Sequence, residues 1–466
     1  MQVPRSAPDA CFFAAFAILT ACFLQFSRFS AVFALLAGAI WEGVVFPFNL
    51  GRIGNSTVLW LGIDPPELFF YVFLPPLLLD AAMSIDWFLF RKLKGLILAY
   101  ALLIVLATAA VMTPVLLYGL RLSASGWLWQ HGALFASMVA PTDALAISAV
   151  LRRSGGVDAE MTTLLEGESL LNDASALTLF KLLFTQVKQI AEDGYSRAES
   201  FPSFCFRATQ EGLTLSSGGI AVGLLAGALT QRLIKFLRWN GTNGTSQETA
   251  AILAVAYLVY YVADALAGVS GIIAVVVFGL YGNACLGFGV KGTTQDAQFT
   301  AVFQALAFAL NAIVFFFAGT SAVNFTVRAA ETLRSFTLNV AVFPAIYVSL
   351  IVSRCIFIAF IDFLSRRVLQ RKGIGKGGIL FATWGGLRGA LCLIMAQVLV
   401  TDEDLAVKSQ PVVAQMGLWT ALTVLSTLLL HPPTVPRVLK AAGLVDVSYL
   451  KTRIRSKAKR GLLRYD

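Results

Sequence analysis

The sequence predicts an all-α polytopic membrane protein with about thirteen spanning helices. Three observations predict it. Of the 466 residues, 58% are hydrophobic and only 13% charged, too little charge to cover a soluble surface. Mean hydropathy is +0.76. Apolar stretches long enough to cross a bilayer recur with short breaks along the chain. The 36 Phe argue against disorder, and 2 His with 6 Cys argue against a His-rich metal protein or a disulfide scaffold. The cysteines lie mostly in apolar runs and read as small core hydrophobes. A net charge of +10 in such a chain reads as basic loops on one membrane face, so no nucleic-acid partner is expected.

In order, the spans are read at 10–28, 30–48, 67–85, 93–120, 131–152, 160–188, 206–238, 247–266, 270–288, 297–321, 334–364, 376–400 and 411–432. The first, behind Arg5, is either a span or a cleaved signal peptide; no clear small-x-small cleavage site separates it from the second. With the N-terminus outside, the inner loops collect Arg91, Lys92, Lys94, Arg152, Arg153, the 366–376 cluster and the basic tail. Most of the 36 Lys and Arg then lie inside, which orients the C-terminus to the cytoplasm. The sequons at Asn55 and Asn324 are expected in outer loops and those at Asn240 and Asn243 in an inner one. Residues 1–436 form the transmembrane part and 437–466 a short basic cytoplasmic tail. That tail either lies along anionic lipid of the inner leaflet or is a solvated segment that sets topology.

A charge at mid-membrane costs about 2.5–3.5 kcal/mol. This chain places Glu42, Asp80, Asp143, Glu168, Asp173, Asp264, Arg354 and Arg388 there. Such residues must be paired, protonated or set along a wet path. Lys181 lies near a helix end and can snorkel. The densest cluster is Glu166-Gly-Glu168-Ser-Leu-Leu-Asn172-Asp173. On a helix Glu168 and Asn172 share a face, and Asp173 points about 100° further round. Glu166 reads as a residue near the helix N-terminus.

In Ala140-Pro141-Thr142-Asp143, Pro141 removes a backbone donor and disfavours helix at Ala140. The resulting break exposes carbonyls beside Asp143, or leaves a kink that Asp143 caps. In Gly385-Gly386-Leu387-Arg388-Gly389-Ala390, three glycines permit a second break. Arg388 needs an acidic partner, and Glu168 is the candidate. The two breaks fall in the fifth and twelfth spans, an arrangement of inverted repeats around a midplane site. Structural pairing is expected for Glu42, Asp80, Asp264 and Asp362.

Pro141-Thr-Asp143, Glu166-Gly-Glu-Ser-Leu-Leu-Asn-Asp173 and Gly385-Gly-Leu-Arg-Gly-Ala390 closely resemble signature motifs of sodium/proton exchangers, in the monovalent cation/proton antiporter family. Leu74-Pro-Pro-Leu-Leu-Leu-Asp80 and Phe315-Phe-Phe-Ala-Gly-Thr-Ser321 resemble weaker family segments, and order and spacing match over residues 30–432. After Asp143 the chain reads Ala-Leu-Ala-Ile where the family pattern is Pro-Val-Ala-Val. The resemblance implies the antiporter fold, two crossing interrupted helices, a homodimer, and a core that moves against a dimerisation domain. It implies that Asp173 binds the transported ion and proton, and that Asn172, Asp143 and Thr142 flank it. Na⁺ would sit at Asp173 and Asp143, and Glu168 with Arg388 would form a structural ion pair. Asn172 stands where electrogenic relatives carry a second Asp, so the electroneutral branch is implied.

The expected function is therefore electroneutral Na⁺/H⁺ antiport by alternating access, for pH and salt homeostasis, by a multi-pass protein of the plasma membrane. No catalytic residue and no cofactor is expected, only the transported Na⁺ and H⁺, with K⁺ or Li⁺ as alternative cargo. A potassium/proton exchanger and a non-transporting sensor of the same fold are the alternatives. An intramembrane aspartyl protease is disfavoured because its Tyr-Asp and Gly-x-Gly-Asp pair is missing. A channel is separated from an exchanger by saturable counterflow.

Overall fold

A computed structural model describes residues 9–444, apart from 25–29, 49–51, 63–67, 144–158, 194–199, 240–244, 286–292 and 369–372. All regular structure among them is helical, as lipid requires of a spanning chain that is not a closed barrel. The helices are α1 Asp9–Leu24, α2 Ser30–Phe48, α3 Arg52–Leu61, α4 Leu68–Val72, α5 Leu74–Ser84, α6 Trp87–Pro114, α7 Trp129–Val139, α8 Ala159–Asp193 and α9 Phe201–Trp239. They continue with α10 Thr245–Tyr261, α11 Gly271–Ala284, α12 Thr293–Thr332, α13 Phe336–Val368, α14 Gly375–Trp384, α15 Ala390–Thr401, α16 Glu403–Lys408 and α17 Gln410–Ala441.

Where it is described, each expected span falls on a helix or helix pair; residues 25–28 of the first, 67 of the third, 144–152 of the fifth and 286–288 of the ninth lie outside the described residues. Among the described residues, six helical stretches are both long and apolar enough to cross a membrane. The short helix α3 was not foreseen, and it carries Asn55. Asn324 lies inside α12, where the hydroxyl of its sequon partner Thr326 donates to the Ala322 carbonyl at 2.8 Å. Both sequons expected in outer loops are therefore helical; those at Asn240 and Asn243 lie outside the described residues. Helix α17 runs past the expected boundary at Pro436, and the tail from residue 445 lies outside the described residues.

Local chemistry sets the helix ends. Asp86 caps α6 by accepting from Leu89 N at 3.0 Å, and Ser270 caps α11 by accepting from Ile273 N at 3.3 Å. Packing then sorts the helices. Helix α6 lies against α7, α8 and α13; α12 lies against α2 and α17; α11 lies against α5, α9 and α10. The α2–α12 contact is backbone on backbone. A Cβ at Gly38 would sit 2.1 Å from the Phe316 carbonyl oxygen, and one at Gly319 only 2.0 Å from that of Leu35. Small residues allow this approach, which replaces the hydrophobic drive that lipid does not supply between helices.

Several of the intramembrane charges are paired. Asp264 meets Lys181 Nζ at 3.0 Å, so Lys181 is held by a carboxylate rather than snorkelling. Asp362 meets Arg366 Nη2 at 2.7 Å and accepts from Ile374 N at 2.7 Å. Glu42 departs from the expectation: it is buried, and its Oε2 has no hydrogen-bond partner among the described residues. The cysteines depart as well. Cys11, Cys22, Cys205 and Cys355 are exposed, Cys285 is half-buried and only Cys392 is in the core. Lipid and protein core are equally apolar to a cysteine, so hydropathy does not separate the two locations.

Candidate functional site

Helix α7 ends at Val139, and residues 140–143 leave the helix, as Pro141 demands. Residues 385–389 part α14 from α15 in the same way. The two breaks touch. Asp143 N donates to the Leu387 carbonyl at 2.7 Å. Arg388 Nη1 donates to the carbonyl of Ala140 and, at 3.2 Å, to that of Pro141. The guanidinium thus meets the negative end of α7, while Asp143 lies by Gly389 at the positive N-terminus of α15. Opposed half-helix ends of this kind create polarity at membrane depth without exposing backbone to lipid.

Arg388 does not pair with Glu168, and that expectation is corrected. The partner of Glu168 is Arg354 of α13, whose Nη2 lies 2.7 Å from Glu168 Oε1, both side chains almost fully buried. Arg354 Nε also donates to the Ala382 carbonyl at 3.1 Å, which ties the pair to the end of α14. Both arginines were recognisable as intramembrane cations, but nothing in their spacing assigned one carboxylate to either. Arg388 is needed at the broken end of α7, whose carbonyls lack helical donors.

Helix α8 divides the remaining roles between its faces. Asn172 Nδ2 donates to Thr142 Oγ1 at 2.6 Å, and its Oδ1 accepts from Thr142 N at 3.4 Å. Ser169 Oγ donates to the Thr142 carbonyl. One turn of α8 therefore clamps the non-helical segment through Thr142. Glu166, Ser169 and Asp173, spaced as one helical face, line a cavity of about 400 Å³ together with Thr142, Asp143 and Asp80. Glu166 is thus a cavity residue rather than a helix-entry residue. Gln304 and Asn311 of α12 also line the cavity.

Asp173 and Asp143, predicted together, do share this cavity. Among the described residues no Lys or Arg forms an ion pair with Asp173. Asp143 and Asp173, the hydroxyls of Thr142 and Ser169 and the non-helical backbone at 140–143 gather oxygen atoms of the kind that hard cations prefer. Sequence reasoning missed Ser169, although its spacing of four from Asp173 was a usable signal. For Asp80 it expected structural pairing alone and not a place on the cavity, because the packing of α5 there is a tertiary fact.

Gly389 sets how closely the breaks approach. A Cβ there would lie 2.8 Å from Asp143 Cβ and 3.0 Å from its Oδ2. Gly389→Ala should therefore displace Asp143 and weaken cation binding, with little change in helix content. Circular dichroism and cation-dependent thermal shifts test this; an unchanged cation response would show that the close approach is not required.

A family model described as "Sodium/hydrogen exchanger, transmembrane" matches residues 11–441. Sodium/hydrogen exchanger 8 of Arabidopsis thaliana is 27% identical over 354 residues, covering 75% of this chain and 43% of that protein. The Na⁺/H⁺ antiporter ApNhaP of Aphanothece halophytica is 29% identical over 382 residues, covering 82% of this chain and 66% of that protein. Sodium/hydrogen exchanger 3 of Mus musculus is 28% identical over 378 residues, covering 79% of this chain and 41% of that protein. The chain thus spans less than half the length of the Arabidopsis and mouse relatives. The solved structure of the sodium proton antiporter MjNhaP1 from Methanocaldococcus jannaschii superposes with a TM-score of 0.65 at 17% identity, covering 91% of this chain and 98% of that one. It shares the fold. With the family match spanning nearly all of the described residues, the chain belongs to the sodium/hydrogen exchanger family.

Proposed function

We propose that this chain exchanges Na⁺ for H⁺ one for one by alternating access, with Asp173 carrying the exchanged ion. The observation that carries the reading is the placement of Asp173 and Asp143 in one cavity at the contact of two broken helices. Asp173 is either ionised with Na⁺ bound or protonated and neutral. The two loaded forms carry the same charge and cross alike; the empty ionised site does not cross, and this enforces exchange. The positive end of α15 stabilises negative charge on Asp143. Asn172 is neutral and engaged through both amide atoms with Thr142, so it positions the site and adds no second titrating group. Thr142 supplies oxygen beside the ion.

The cavity reaches Ser84 and Ile85 at the end of α5. Next in the chain come Arg91, Lys92 and Lys94, whose charge assigns that side to the cytoplasm. In this reading the structure is inward-facing, the C-terminus is cytoplasmic, and the protein works as a homodimer in the plasma membrane.

Proton flux in proteoliposomes with an imposed Na⁺ or K⁺ gradient, with and without a voltage clamp by ionophore, tests the proposal. Na⁺-driven flux indifferent to voltage is the expected result. Equal drive by K⁺ would change the cargo. Flux that follows voltage would require a second titrating group, and Asp143 is its candidate. No flux from well-folded protein would overturn the exchange reading in favour of a sensor.

A further inference from the structure

A second cavity, of about 220 Å³, lies further along α8 and is lined by Ala174, Leu177, Thr178 and Lys181 together with Tyr260 and Asp264. Its lining on α8 begins one residue after Asp173, where that of the first cavity stops. Lys181 stands about 12 Å beyond Asp173 along the helix. The two cavities therefore flank the ion carboxylate at opposite ends.

Two residues lining the second cavity, Lys181 and Asp264, form an ion pair. Lys181 Nζ lies 3.0 Å from Asp264 Oδ1, and the Tyr71 hydroxyl donates to Asp264 Oδ2. Asp264, which accepts from both, and Tyr71 lie on helical segments other than the helix that carries Lys181. Tyr71 packs edge-on against Tyr260 with ring centroids 5.2 Å apart, and the Tyr257 hydroxyl donates to the Val72 carbonyl at 2.9 Å, so α4 and α10 hold together. Helix α8, by contrast, packs chiefly on α6 and α7. Asp264 also sits within a π-helical turn, Val262–Leu266, a local widening frequent at functional sites.

We propose that this second cavity is the outer vestibule of the ion path, and that the Lys181–Asp264–Tyr71 contact is the latch that holds it shut in the present conformation. Lys181 acts as a tethered cation that neutralises Asp264 while Asp173 faces the first cavity. Movement of α8 past α4 and α10 must break the contact to expose Asp173 to the second side. The proposal rests on the alternating-access reading above, but its test does not require exchange.

Ala174 is buried beside Asp173 and lines the second cavity. In the full chain carrying Ala174→Cys, reaction of residue 174 with an impermeant maleimide is read by mass spectrometry, with reagent added to either membrane face. Ser84→Cys, at the first cavity, marks the reference face. With the latch intact, labelling should be slow. Lys181→Gln or Asp264→Asn should raise it about tenfold, equivalent to about 1.4 kcal/mol, from the face opposite the reference. The exchange Lys181→Asp with Asp264→Lys should restore slow labelling, which separates unlatching from misfolding. Fast labelling with the latch intact, no rise in either single variant, a rise from the reference face, or a swapped pair as fast as the singles would each overturn the latch. If labelling behaves as expected but the unsubstituted chain moves no protons, the exchange reading fails and the latch stands.

Discussion

Replacing Asp173 with Asn is expected to abolish Na⁺-coupled proton movement, to the level of protein-free liposomes, while leaving the protein folded. Asn matches Asp in shape, so the packing of α8 on α6 and α7 has no cause to change. The substitution also removes a charge from membrane depth, where charge is expensive. In the proposed exchange, what it removes is the group that binds either Na⁺ or H⁺. Thermal unfolding provides a second readout. A cation that binds only the folded protein stabilises it by about 1.4 kcal/mol when present at ten times its dissociation constant. The unsubstituted chain should show that gain and Asp173→Asn should not. Sodium-driven proton flux that survives in the variant would sink the assignment of Asp173.

The second large effect concerns the corrected ion pair. Arg354→Ala strands Glu168, an almost fully buried carboxylate whose cation lay 2.7 Å away. Breaking a buried pair by removing one partner costs about 3–5 kcal/mol, enough to impair assembly in detergent and lower the thermal midpoint markedly. Glu168→Gln in the same chain should recover most of that loss, since a neutral amide needs no counter-charge. Arg388→Ala should behave otherwise. It releases the Ala140 and Pro141 carbonyls, so it should loosen the approach of the two breaks and damage transport, and Glu168→Gln should not rescue it. Rescue of Arg388→Ala but not of Arg354→Ala would reinstate the pairing read from sequence.

Much of this protein was legible in the sequence because membranes impose simple arithmetic. Spans follow from apolar length, and among the described residues each expected span coincides with one helix or, where a break intervenes, with helix on either side or before it. The breaks follow from Pro141 and from the glycines around Arg388, because ring geometry and a missing Cβ act on the local backbone whatever surrounds it. The placement of Asp173 on a different face from Glu168 and Asn172 followed from helical period alone, and the structure keeps it: Asp173 in the cavity, Glu168 on Arg354, Asn172 on Thr142.

Only the tertiary structure decided which partner each charge met. Coulomb attraction carries no sequence address, so Arg354 and Arg388 were equivalent donors for Glu168 until α13 packed against α6 and the break of α7 claimed Arg388. The same holds for Lys181 with Asp264, and for Asp80 on the wall of the cavity. It also holds for the cysteines, because hydropathy scores a lipid-facing and a core-facing position alike. Local backbone chemistry and apolar length fixed where the helices run and break. The assignment of counter-charges, of lipid-facing surface and of the residues that line each cavity waited on the contacts between helices far apart in the chain.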